Sequence, residues 1–126
     1  MEPTVAILAI LERCSLEWEL VTSTVVLYEV GLTGDPVKRS YVIRLTRRAR
    51  EMIRVDENLL SRAEEIERQG IKGMDAIHLA CAKKAGAVFL TTDDEVIKIM
   101  KKHTPDISIR AGNPLRWFME LNHDGE

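Results

Sequence analysis

Neither sign of charge dominates this sequence. Eighteen lysines and arginines stand against twenty aspartates and glutamates, a formal net charge of −2 at pH 7. That removes the bulk electrostatic case for nucleic-acid binding, which usually shows as a basic face or a high pI, so any such partner must be held by a local patch. Cysteine is scarce. Cys14 and Cys81 are the only two, and two unclustered cysteines form neither a disulfide framework nor a metal-ligand pattern. Both sit in apolar, helical-looking segments and read as buried thiols in a reducing cytoplasm. Long apolar runs are lacking as well. Val5 to Leu11 is apolar but short, no basic segment precedes it, and Glu12 and Arg13 follow at once, so it reads as neither a membrane span nor a signal peptide. Repeats, low-complexity tracts and linkers are absent. What is present, 126 residues with 45% apolar and 30% charged side chains, has the balance of one soluble globular domain spanning 1–126.

Punctuation and periodicity divide the chain. Residues 3–14 read as a helix apolar on most sides, with Pro3 in its first turn, and such a helix normally lies deep in a core. Glu19 to Thr22 reads as a short strand, with Ser23 as N-cap of a helix through about Leu32. Gly31, Gly34 and Pro36 end that helix and form a loop. Residues 36–53 read as an amphipathic helix with Val42, Leu45, Ala49 and Met52 at helical spacing, and Ile53-Arg54-Val55 as a short strand leaving it. Asp56 caps the next helix, with Leu59, Ala63 and Ile66 as the inner stripe and Gly70 as the stop. A helix from Met74 to Lys84 stops at Gly86. Ala87 to Thr91 is an almost continuous apolar run, the pattern of a parallel strand buried on both faces. Glu95 to Lys102 is a helix, Ile107 to Arg110 a strand, and Asn113 caps a last helix that has Pro114 at its first position. Strands alternate with helices, so the fold class is α/β with a small, mainly parallel sheet flanked by helices. Ligands of such sheets lie outside the carboxyl ends of the strands.

The chain lengths bring two acids to that edge. Asp75 starts a helix of about ten residues, roughly 15 Å long at ~1.5 Å per residue. The strand after Gly86 has about five residues, roughly 16 Å at ~3.3 Å each. The helix runs down and the strand runs back by the same distance, so Asp75 and Asp93 return to one end of the fold, with Asp94 and Glu95 beside them. Carboxylates gathered at one edge repel one another unless a cation lies between them, and an oxygen-only donor set favours Mg²⁺ or Mn²⁺. A divalent ion there lowers the pKa of a bound water and stabilises charge on a phosphate. The same acids also fit a plainer role, because helix starts favour aspartate and glutamate in any case.

The segment Gly70-Ile71-Lys72-Gly73-Met74-Asp75-Ala76-Ile77-His78-Leu79-Ala80, followed by Gly86-Ala87-Val88-Phe89-Leu90-Thr91-Thr92-Asp93-Asp94, resembles the second half of a PIN domain. Upstream, Leu20-Val21-Thr22-Ser23-Thr24-Val25-Val26-Leu27-Tyr28-Glu29 is similar to the family's strand-and-helix segment with an essential glutamate. Downstream, Asn113-Pro114-Leu115-Arg116-Trp117-Phe118 resembles its closing segment. The resemblance implies a three-layer PIN-like fold and a metal site made by Glu29, Asp75 and Asp93, with Asp94 adjacent. It also implies that the chain begins one strand late. Such proteins open with a mid-sheet strand ending in an aspartate central to the metal site, and no acid follows an N-terminal strand here.

Several further residues carry two readings each. His78 lies one turn after Asp75 on the same helix face, placed to touch a phosphate, to orient the carboxylate, or simply to be a satisfied structural histidine. Thr91 and Thr92 either hydrogen-bond the acids or end the strand. Between Lys38 and Arg54 stand seven basic residues, Arg47 among them, and one acid, Glu51. They form either a phosphate-pairing stripe or a solvated helix face. Trp117 and Phe118 stack on bases or anchor the last helix. The resemblance implies a Mg²⁺- or Mn²⁺-dependent endoribonuclease like the toxins of VapBC-type toxin–antitoxin pairs, acting in the cytoplasm as a homodimer with RNA as substrate and a small antitoxin as partner. The competing expectation is a degenerate or truncated module that binds RNA or an antitoxin without cutting. A receiver-like or phosphatase reading of Asp93-Asp94 is weaker, because those folds place their key acids after the first strand.

Overall fold

The computed structural model of the chain describes residues 3–14, 17–32, 34–103 and 109–124. Its elements follow the order α1 (Pro3–Arg13), β1 (Val21–Ser23), α2 (Thr24–Leu32), α3 (Pro36–Arg47), β2 (Glu51–Ile53), α4 (Glu57–Glu67), α5 (Gly73–Ala85), β3 (Phe89–Leu90), α6 (Asp94–Lys102), β4 (Ala111–Gly112) and α7 (Pro114–Asp124). Helices and strands alternate in the order that the sequence predicts, and the pairing is parallel. β1 lies beside β2 with Val21 opposite Glu51 and Ser23 opposite Ile53. β3 lies beside β4 with Phe89 opposite Ala111 and Leu90 opposite Gly112.

The helix boundaries have local causes. Asp56 accepts the Leu59 N–H at 2.9 Å and starts α4. Its stripe Leu59, Ala63 and Ile66 is buried as expected. Gly86 ends α5 in the left-handed conformation, φ 66°, which only glycine adopts without a Cβ penalty. Asn113 Oδ1 accepts the Leu115 and Arg116 N–H groups at 2.9 and 3.3 Å, so it caps α7 as read.

Four expectations need correction. The helix read over 36–53 ends at Arg47. There the chain tightens, with Ala49 N–H donating to Thr46 O, and the next amide, Arg50 N–H, donates to Leu20 O at 2.8 Å. The edge of β1 captures the chain before a further turn forms, so the strand is 51–53 rather than 53–55. Met52 of the proposed stripe is 47% exposed, and none of α3 is fully buried. Ser23 does not cap α2. Its hydroxyl is buried and makes no hydrogen bond, while Thr24 Oγ1 accepts from Val55 N–H at 3.1 Å. The run 87–91 yields a strand only at Phe89–Leu90, and both residues are half-buried rather than sealed on two faces. The fourth strand is Ala111–Gly112; of the segment read as a strand, Ile107 and Ser108 lie outside the described residues.

Burial divides into two clusters. The larger lies among α4, α5 and α6 and is centred on Leu59, Ile71 and Leu79, each under 3% exposed. The smaller joins α1 to α7 through Ala6, Ile10 and Phe118, with Trp18, Leu90 and Trp117 against it. The first helix is therefore buried along one face, not sunk in a core, and Ile7 is exposed. Phe118 anchors the last helix, and Trp117 meets Trp18 with ring centroids 4.9 Å apart. Both thiols are covered to different degrees, Cys81 buried and Cys14 half-buried, and in each case burial raises the thiol pKa. The Cys81 thiol lies by the Ser23 hydroxyl, close enough to soften that rise but outside hydrogen-bonding geometry.

Candidate acidic site at the helix starts

Glu29 sits on α2, past the carboxyl end of β1, and His78 sits on α5. They lie 49 positions apart in sequence, and His78 Nε2 meets Glu29 Oε1 at 2.5 Å. A carboxylate only accepts hydrogen bonds, so the ring nitrogen is the donor. Phe89 of β3 lies nearly parallel to the imidazole, with centroids 6.5 Å apart and planes at 22°. The imidazole thus joins three elements. The carboxylate it orients is Glu29, not the Asp75 of its own helix.

Asp75 stands in the first turn of α5, half-buried, where unsatisfied N–H groups favour negative charge. It is one turn from His78, a spacing at which Cβ atoms on a helix are about 5–6 Å apart. Glu29 is therefore delivered to the same face of α5, about one turn from Asp75. Asp93 is the N-cap of α6, and its Oδ1 accepts from Glu95 N–H at 3.0 Å and Val96 N–H at 3.4 Å. Its own N–H donates to Thr91 Oγ1 at 3.1 Å. Thr91 rather than Thr92 thus holds the acid's backbone, a distinction for which the Thr-Thr pair carries no signal in sequence. Asp94 and Glu95 occupy the exposed first turn of α6. Arg47 is in the last turn of α3 and exposed, and among the described residues no hydrogen bond or ion pair ties it to these acids.

Each acid is at a helix start or on a helix leaving a strand, as the chain lengths predict. They do not converge fully. Among the described residues no three histidine, cysteine, aspartate or glutamate side chains gather closely enough to hold one metal ion. The arrangement comprises a fixed pair, Glu29 with His78, a half-buried carboxylate one turn away, and a capping carboxylate on the neighbouring helix.

A family model described as the PIN domain matches residues 4–102. The chain belongs to the PIN-domain family. The match runs from α1 through α6 and takes in Glu29, Asp75, His78 and Asp93. Neither a curated protein nor a solved structure matches the chain. PIN domains are in general nucleases that depend on divalent metal. In this PIN domain the donors do not gather into a three-ligand site, so the structure supports no reaction step through a resident ion. No described helix is long and apolar enough to cross a membrane.

Proposed function

We propose that this PIN domain is a ribonuclease of the VapC toxin type that hydrolyses RNA phosphodiester bonds, with Glu29, Asp75 and Asp93 as its working acids and Asp94 adjacent. The observation that carries the reading is the 2.5 Å contact of His78 with Glu29. It brings a carboxylate from a distant helix to within about one turn of Asp75, at the edge where an α/β sheet exposes its ligand sites. In hydrolysis, water attacks phosphorus, a new P–O bond forms, and one ester P–O bond breaks as its oxygen leaves. A carboxylate at this edge can accept the proton of the attacking water. Dependence on Mg²⁺ or Mn²⁺, which the family resemblance implies, is part of the proposal and is put to the test. So are the cytoplasmic setting, the homodimer and the antitoxin partner. The exposed apolar strip Tyr28, Leu32, Val37 and Tyr41 on α2 and α3 is a face that a protein partner or second copy would cover.

The test is cleavage of a mixed-sequence RNA by the full chain with and without Mn²⁺ or Mg²⁺. The expected outcome is metal-dependent cutting that falls at least about a hundredfold in Asp75→Asn and in Asp93→Asn. Cutting that survives both substitutions and chelation would sink the reading. A second reading, a module that binds RNA or an antitoxin without cutting, is favoured by the absence of a three-donor cluster among the described residues. RNA retained in a gel-shift assay with no cleavage in either metal selects it.

A further inference from the structure

The two parallel pairs do not join: β1 and β2 form one two-stranded sheet and β3 and β4 another. Between them lies a cavity of about 540 Å³, whose walls include Val21, Ser23, Val88 and Leu90. A well-packed core leaves few voids larger than a water molecule, so this space is far beyond packing error. Its polar boundary is peptide backbone. Along a parallel strand, successive residues turn their N–H and C=O groups to opposite edges. In β3, Phe89 N–H donates to Arg110 O at 2.9 Å and Thr91 N–H to Gly112 O at 3.0 Å. Leu90, between them, therefore turns its amide and carbonyl away from β4 and toward the cavity. In β1, Leu20 O accepts from Arg50 N–H, so Val21 faces the opposite edge, again the cavity. Among the described residues, then, two strand edges look at each other across a slot, and an open edge is a template for a further strand.

The two edges also run the same way. His78 meets Glu29 past the carboxyl end of β1, and one turn later Cys81 lies beside Ser23 in β1, so α5 runs antiparallel to β1. β3 returns along α5 and brings Phe89 back to His78. β1 and β3 are therefore parallel, and one strand between them would be parallel to both. The slot has an apolar wall on each face, Cys81 and Ala82 of α5 on one side, Ile10, Trp18 and Trp117 on the other. Helices on both faces are the normal surroundings of a parallel strand, whose side chains are then apolar throughout.

We infer that this slot accepts one extended, apolar, proline-free segment of about five residues from a partner polypeptide, inserted as a parallel strand between β1 and β3. Backbone pairing on two sides supplies the hydrogen bonds of strand addition, and the two apolar walls take alternate side chains. A second copy is not the occupant, because its β1 and β3 are recessed between the same helices. Two residues, about 7 Å of extended chain at ~3.3 Å each, precede Pro3 in this sequence and do not span the slot. The inference rests on the split sheet alone and is independent of nuclease activity.

The probe is a peptide of five alternating valines and isoleucines with two terminal lysines for solubility, added to the full chain. Amide hydrogen exchange is followed by NMR. The expected result is slowing of exchange at Val21, Ser23, Val88 and Leu90 by about tenfold or more. A peptide with the same side chains but N-methylated at alternate amides should give no protection. No slowing, or equal slowing by the methylated peptide, overturns the proposal. Protection obtained only when the segment is fused ahead of Pro3, and never with the separate peptide, overturns the partner as its source.

Discussion

At the scale of single residues, His78 links two acids that no sequence interval connects. Its bond to Glu29 and its stacking on Phe89 make it a positioning residue for the carboxylate. Partners that orient a working carboxylate or ligand typically matter about 10–100-fold in activity or affinity. His78→Ala should lower RNA cleavage by about that range, and His78→Gln, which keeps an N–H donor, should restore part of it. Equal activity in both variants and the parent would show that the contact orients nothing. Asp56 makes a different prediction. The Leu59 N–H, and secondarily Lys84 with Nζ 3.7 Å away, hold its carboxyl below the usual range. A depressed carboxylate stabilises the fold above its unfolded value, about 3.9, and that contribution is lost as pH falls through the lower folded value. Asp56→Asn keeps a capping oxygen but loses the charge. Urea midpoints of parent and variant should therefore differ at pH 7 and converge below about pH 4; a gap that persists in acid would assign the effect to something other than the charge.

At the scale of elements, the reading succeeded where a local signal was complete. Asp56, Gly86 and Asn113 each mark a boundary by their own hydrogen bonds or φ, and each marks it where expected. It erred where a distant partner decided. The basic segment keeps helical spacing through Met52, yet the amide of Arg50 bonds to Leu20, and a strand replaces the last turns. Nothing within residues 36–53 encodes the position of Leu20. Ser23 has a capping residue's chemistry but lies at the end of a buried strand, where its hydroxyl finds no N–H to accept from. The apolar run 87–91 looks like a central strand because its composition is one. Here it pairs on the β4 side, and its other edge borders the cavity.

At the scale of the whole molecule, two apolar clusters face each other across the open middle of the sheet. Leu79 is fully buried in the larger, and Leu79→Ala should cost about 2–5 kcal/mol. Phe118→Ala in the smaller should cost about 3 kcal/mol, the low end for such a truncation, because its cluster already borders a cavity. Sites without shared partners add to within about 0.5 kcal/mol. The double variant measured by denaturant unfolding should therefore be the sum of the two, provided that sum stays within the stability of the fold. Strong coupling would mean that the clusters act as one core, contrary to the split seen here. With the strand peptide bound, the same cycle should become non-additive, because one inserted strand touches both walls.

The sequence by itself determined the order of helices and strands, the α/β class, the family, and the placement of Asp75 and Asp93 at helix starts. Each follows from periodicity, caps, chain lengths or a contiguous motif, all of which are local. Only the tertiary structure decided that Glu29 reaches α5 through His78, that the acids stop short of a three-donor cluster, and that the sheet divides into two pairs around a cavity. These depend on contacts between residues up to 49 positions apart and on which strand edges find partners, and hydrogen-bond pairing over such distances leaves no periodic trace in the chain.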